Sequence, residues 1–118
     1  MPVGRLNDAK IIRVGFIEEK IRSDFRELQS GRFEERKLAA AIHRKMAILK
    51  ENPSSGIQIA RKLWPKRYVV RYAIDNLWKL NLPEGWRLIY TIRRTNVEIV
   101  SLILEWFPHR EYERRFKY

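Results

Sequence analysis

The chain is 118 residues long, enough for one domain with a core and too short for two of ordinary size. Apolar residues make up 45% and charged residues 33%, which excludes disorder throughout, and the lack of cysteine excludes disulfides, a thiolate nucleophile and any cysteine-ligated zinc. Lys and Arg outnumber Asp and Glu by 25 to 14, so the net charge of +11 favours a polyanionic partner (RNA, DNA or an acidic protein) over a neutral metabolite.

With two histidines and no cysteine, neither a metal nor another cofactor is expected. The longest apolar run, Ile99 to Leu104 with Ser101 inside it, is far short of a membrane span, and Met1 to Lys10 lacks the apolar centre of a signal peptide. The expectation is a cytoplasmic protein without a membrane partner. Residues 1–118 form one domain, with 1–10 as a flexible N-terminal extension.

In chain order, the short, β-branched run Ile11 to Phe16 predicts a first strand. From Ile17 to Gln29 the spacing of Ile17, Ile21, Phe25 and Leu28 places them on one helical face, and Gly31 marks the stop. A second helix is predicted from Phe33 or Glu34 to about Lys50, with Leu38, Ala41, Ile42, Met46 and Leu49 on its apolar face and Glu34 and Glu35 in its first turn, where the helix dipole favours acids. The stretch Asn52 to Gly56 ends it. The short connection makes the pair an antiparallel αα-hairpin.

A basic linker follows. Asn76 to Leu82 and Trp86 to Arg93 both alternate, separated by the turn Pro83-Glu84-Gly85. After a second turn at Arg94 to Asn96, Val97 to Trp106 is apolar on both faces and predicts the sheet centre. Pro108 breaks the strand, and His109 to Phe116 predicts a short charged helix. The class expected is α+β: an N-terminal strand, an αα-hairpin, a three-stranded antiparallel meander and a C-terminal helix, with the hairpin on one sheet face and the other face open. The alternation exposes Lys79, Asn81, Arg87 and Arg93 on that open face.

The charge is unevenly placed. Residues 57–94 hold nine basic and two acidic side chains, whereas residues 95–118 hold four of each. The basic residues of 57–94 are interleaved with Trp64, Tyr68, Tyr72, Trp78, Trp86 and Tyr90, a mixture suited to phosphates and unpaired bases. Each ring taken singly is equally well read as packing. Lys62, Lys66, Arg67, Lys79, Asn81 and Arg93 are the RNA-binding candidates of this stretch.

Several motifs resemble the RelE/ParE superfamily of toxins from type II toxin–antitoxin pairs. Trp86-Arg87-Leu88-Ile89-Tyr90 after Gly85 is similar to the family's aromatic-Arg-Leu-Val/Ile-Tyr strand, and Trp78-Lys79-Leu80 and His109-Arg110-Glu111-Tyr112 are similar to the strand before it and the segment after the last strand. The resemblance runs from about Ile11 to the C-terminus and implies a RelE-like fold. For the RelE branch it implies a ribosome-dependent, metal-independent endoribonuclease that cleaves messenger RNA and blocks translation, with messenger RNA, the ribosome and a small cognate antitoxin as partners. It also admits a ParE-like inhibitor of DNA gyrase. Asn81 stands where some RelE members carry a second lysine, which admits a catalytically silent RNA- or DNA-binding relative.

Metal-free RNA cleavage needs a base for the ribose 2′-hydroxyl, an acid for the leaving 5′-oxygen and cations for the phosphate. Arg87 and Arg110 supply forks suited to phosphate. His109 suits acid–base work near neutrality, with capping or solvation of the terminal helix as its alternative. Glu105 is a candidate base, or an orienter of His109 or Arg87. Tyr112, one helical turn after His109, stacks on a base, donates a proton or simply packs. His43, on the charged face of the second helix, takes no role in this scheme.

Overall fold

A computed structural model describes residues 10–116, so the N-terminal extension expected over 1–10 lies outside the described residues except for Lys10. The chain runs β1 (Ile11–Phe16), α1 (Glu19–Gln29), α2 (Phe33–Glu51), β2 (Ile57–Gln58), α3 (Lys66–Tyr72), β3 (Trp78–Asn81), β4 (Trp86–Arg94), β5 (Glu98–Pro108) and α4 (His109–Phe116). The sheet is five-stranded in the order β1-β5-β4-β3-β2, with β1 parallel to β5 and all other pairs antiparallel. The class is α+β as the sequence predicts. The three-stranded meander is part of a larger mixed sheet in which β5 is paired on both sides.

Helix α1 begins two residues later than its apolar stripe, because the Ile17 amide still donates to the Ile103 carbonyl at 2.9 Å and holds the chain in the sheet. The α1–α2 connection is fixed by the Glu35 carboxylate, which accepts from the Arg32 amide at 2.9 Å and so satisfies a donor at the start of α2. Ile21, Phe25, Ala39, Ala41, Ile42 and Leu49 of the hairpin pack on Leu80, Leu82, Leu88, Tyr90, Ile92 and Ile103 of the sheet.

The opposite face is not open. Ile59, Tyr68, Ile74, Leu77, Ile89, Leu104, Phe107, Tyr112 and Phe116 form a second core under α3 and α4. The supposed linker supplies part of it, through Ile59, Tyr68 and Ile74. Of the residues expected to be exposed there, Asn81 and Arg93 are, whereas Lys79 and Arg87 are half-buried beside α4. A β-bulge between the Ile89–Glu105 and Tyr90–Ile103 rungs places the extra residue, Leu104, in this second core.

Tyr90 bridges the hairpin core to the loop before β2. Its hydroxyl donates to the Pro53 carbonyl at 2.8 Å and accepts from the Gly56 amide at 3.1 Å, and burial pushes its phenol up to about 12. A Cβ on Gly56 would lie 2.6 Å from that hydroxyl and 2.6 Å from the Lys79 carbonyl, so only glycine fits. Tyr90→Phe strands two backbone groups and is expected to cost about 1–3 kcal/mol in urea unfolding. Gly56→Ala should cost at least as much, because both contacts must break. Unchanged midpoints in both variants would contradict this packing.

Candidate functional site

The predicted residues gather where the sheet end meets the start of α4. Arg87 is the second residue of β4, opposite Asn81 of β3 and Phe107 of β5. Its Nη2 lies 3.0 Å from His109 Nδ1, and its Nη1 donates to the Trp86 carbonyl at 3.2 Å. A guanidinium only donates, so Nδ1 is the acceptor and neutral His109 carries its proton on Nε2. That Nε2 faces Glu113 Oε1 at 3.4 Å. Gly85, at φ +79°, turns the chain into β4, and a Cβ there would stand 3.7 Å from the His109 Cβ. Glu113 is a contributor that the sequence patterns did not single out. The signal available was the i, i+4 spacing of His109 and Glu113.

Tyr112 forms the floor. Its ring is 1% exposed, stacks on Phe116 at 4.6 Å between centroids and lies 6.4 Å from the His109 ring at an interplanar angle of 23°. The Lys79 ammonium stands 4.6 Å from its centroid and the Arg87 guanidinium carbon 5.9 Å, so the ring's electron-rich face helps hold two like charges near each other. Being buried, the ring is not open to a nucleic-acid base as the sequence reading allowed. Its place is to support Lys79, Arg87 and His109. Arg87 Nε is buried without a hydrogen-bond partner among the described residues, and Arg110, exposed on the first turn of α4, makes no ion pair among them.

Glu105 is not beside His109 or Arg87 in a hydrogen-bonding sense. It shares their sheet face two rungs further along β5, opposite Ile89, where its oxygens are already taken. Arg67 Nη2 lies 2.6 Å from both, Arg115 Nη1 lies 2.8 Å from both, and the Tyr68 hydroxyl donates to Oε2. The expected orientation of His109 by Glu105 is therefore replaced by an anchor on Arg115, six residues later in α4. Burial works to raise the Glu105 pKa, but the hydrogen bonds from Tyr68, Arg67 and Arg115 outweigh it and hold the carboxyl below its ordinary value. Burial and the adjacent carboxylate push the Tyr68 phenol far up, keeping it a donor.

The RNA-binding candidates separate accordingly. Lys79 and Asn81 lie at the site on β3. Arg67 is engaged by Glu105, and Arg93, about 20 Å along β4 from Arg87, donates to the Tyr72 carbonyl at 2.8 Å. Lys62 and Lys66 are exposed on the segment before α3 and on its first residue. A recess of 470 Å³ lies elsewhere, between α1, α3 and the end of β5, and its walls include Glu18, Asp24, Glu27, Arg67, Arg71 and Trp106. Arg71 spans part of it to Glu18 at 2.9 Å.

Among the described residues, no three histidine or acidic side chains stand together in a geometry that would hold a metal ion, and no helix is long and apolar enough to cross a membrane. Comparisons with protein-family models, curated proteins and solved structures find no significant match to this chain.

Glu105→Ala leaves Arg67 and the buried Tyr68 hydroxyl without this acceptor and Arg115 with Glu111 alone. Because the Glu105 side chain is 20% exposed and Arg67 is mostly in solvent, the expected loss is about 2 kcal/mol, below the value for a fully buried pair. The native carboxylate is worth most above the ordinary glutamate pKa, and its contribution is lost as pH falls through the lower folded value. Acid unfolding should therefore be less steep in Glu105→Gln than in the native chain. Equal pH dependence in both would show that this carboxylate does not anchor α4.

Proposed function

We propose that the protein is a RelE-like toxin that cleaves messenger RNA on the ribosome without a catalytic metal. The observation that carries the reading is the convergence of Arg87, Lys79 and His109 on the Tyr112 ring, with Arg110 exposed beside them on α4. The three motifs that resemble the RelE/ParE superfamily supply these residues, and the strand, helical hairpin and antiparallel strands they sit on are compatible with that family's arrangement.

On this reading the scissile phosphate displaces Arg87 Nη2 from His109 Nδ1. The guanidinium then donates to the phosphate oxygens, and Nδ1 is freed to take the proton of the ribose 2′-hydroxyl. The 2′-oxygen attacks phosphorus, the bond to the 5′-oxygen breaks, and the imidazolium returns a proton to that leaving oxygen. The products are a 2′,3′-cyclic phosphate and a 5′-hydroxyl. Lys79, over the Tyr112 ring, offsets the charge that builds on the phosphate. Messenger RNA, the ribosome and a small antitoxin are the partners this function requires, and the cytoplasm is where it operates.

Purified protein incubated with translating ribosomes should cut messenger RNA, and Arg87→Ala and His109→Gln should each slow cleavage by about 10²-fold or more. Full activity in Arg87→Ala, or no cleavage by the native chain, would overturn the assignment. Asn81, opposite Arg87 where a second lysine would add charge, favours one competing outcome: salt-dependent RNA binding without turnover, the behaviour of a silent relative. Inhibition of gyrase supercoiling with translation intact would mark a ParE-like action instead.

A further inference from the structure

Helix α2 carries a second concentration of positive charge, on the other side of the sheet from Arg87 and His109. Between residues 36 and 50 it holds Arg36, Lys37, Arg44, Lys45 and Lys50 and no acidic residue. Arg36, His43 and Lys50 recur every seven residues, two helical turns or about 10.5 Å apart, and so form a nearly straight line with little drift around the helix. Ala40 and Ala47 fall between them, and Arg44 flanks the line. All six of these residues are exposed.

The neighbouring helix shows what an ordinary solvated charged face looks like in this protein. Helix α1 holds three acids and three bases, and they neutralise one another through Lys20–Asp24 at 3.0 Å, Arg22–Glu19 at 3.4 Å and Arg26–Glu19 at 3.7 Å. On α2, none of Arg36, His43, Arg44, Lys45 or Lys50 makes an ion pair or side-chain hydrogen bond among the described residues. Only Lys37 is paired, with Glu84 at 3.0 Å. Bringing unneutralised cations into line on one rigid helix costs repulsion, which a linear polyanion would relieve.

We propose that the Arg36–His43–Lys50 face of α2 docks on the sugar–phosphate backbone of a nucleic-acid duplex. The alanines between the cations leave room for a backbone to approach closely. A single strand is disfavoured as the occupant because the line offers one ring, the His43 imidazole, where a strand-tracking surface stacks successive bases; the exposed Phe33 lies off it in the first turn of α2. A membrane is disfavoured because the apolar face of α2 is spent on the core through Ala39, Ala41, Ile42 and Leu49, and the exposed Phe33 and Ile48 lie singly, off the charged line, without forming a continuous apolar face to insert. An acidic protein would find no apolar or aromatic anchor between the charges. The proposal is independent of the cleavage reading, since it uses none of the residues around Tyr112.

The test uses the full chain, labelled duplexes of about 20 base pairs in RNA and DNA forms, and anionic phosphatidylserine vesicles as a third arm. The triple variant Arg36→Ala, Arg44→Ala, Lys50→Ala places a strong helix former at exposed positions, so its fold should be retained and is checked by circular dichroism. It should bind duplex at least about tenfold more weakly near 0.1 M salt, and its log K against log salt slope should be shallower by about two to three, close to 0.9 per lost phosphate contact. Arg87→Ala should shift that slope by no more than about one. Loss with RNA alone would narrow the proposal to A-form duplexes, and equal loss with both would assign the shared backbone. Unchanged duplex affinity and slope in a folded triple variant, or vesicle binding through this face without duplex binding, would overturn it.

Discussion

One half-buried carboxylate ties the second face of this protein together. Glu105, near the end of β5, receives Arg67 and Tyr68 from α3 and Arg115 from α4, so a single side chain joins three elements over their shared core. Helix α3 buries one residue of its own, Tyr68, while Val70 is 78% exposed, so polar contacts hold it in place: Glu105 at its start, and Glu18 and Arg93 at its end. Helix α4 depends on the same anchor together with Phe116, which packs on Phe107, Tyr112 and Tyr68. His109 stands at the other end of that eight-residue helix. Its distance from Arg87 is consequently set by two constraints: Pro108 and the end of β5 at one end of α4, and Arg115 and Phe116 at the other.

Much of the fold was legible because long, strongly periodic segments report their own environment. Ile11–Phe16, the α1–α2 hairpin, β4 and the terminal helix fall within a residue or two of where periodicity and turn chemistry place them. The segment 57–75 was not, and the reasons are physical. Its strand is two residues long, and the α3 sequence Lys-Arg-Tyr-Val-Val-Arg-Tyr presents β-branched valines on an exposed face and ends on Ala73 in a left-handed conformation (φ 50°), where glycine or asparagine is the usual signal. Missing α3 made the second sheet face look open. It also hid the partner of Glu105, since no local pattern relates residue 105 to residue 67. The bulge at Leu104 added to this by shifting the face on which the long apolar run of β5 is buried.

The site itself was legible as residue types and order rather than as geometry. Arg87, Lys79, His109 and Tyr112 are brought together, but their ranks differ from those the sequence suggested: Tyr112 is a buried floor, Arg87 covers the nitrogen of His109 that would act as a base, and Glu113 faces the other nitrogen. The positive charge also divides by use. Arg67, Arg71, Arg93 and Arg115 hold the second face together through Glu105, Glu18 and the Tyr72 carbonyl, whereas Arg110 and the exposed line on α2 are left facing solvent. A net charge of +11 is therefore part scaffold and part surface, and only the second part is available to a partner.

Arg87 and His109 form a pre-set pair, with the guanidinium donating to Nδ1 and the imidazole proton on Nε2. The nitrogen-15 spectrum of His109, assigned by its loss in His109→Gln and recorded above the imidazole titration, reads this directly. The expected spectrum shows a protonated Nε2 and a hydrogen-bonded, unprotonated Nδ1 in the native chain, with the two nitrogens averaging towards tautomeric exchange in Arg87→Ala. A protonated Nδ1 in the native chain, or a spectrum that Arg87→Ala leaves unchanged, would contradict it.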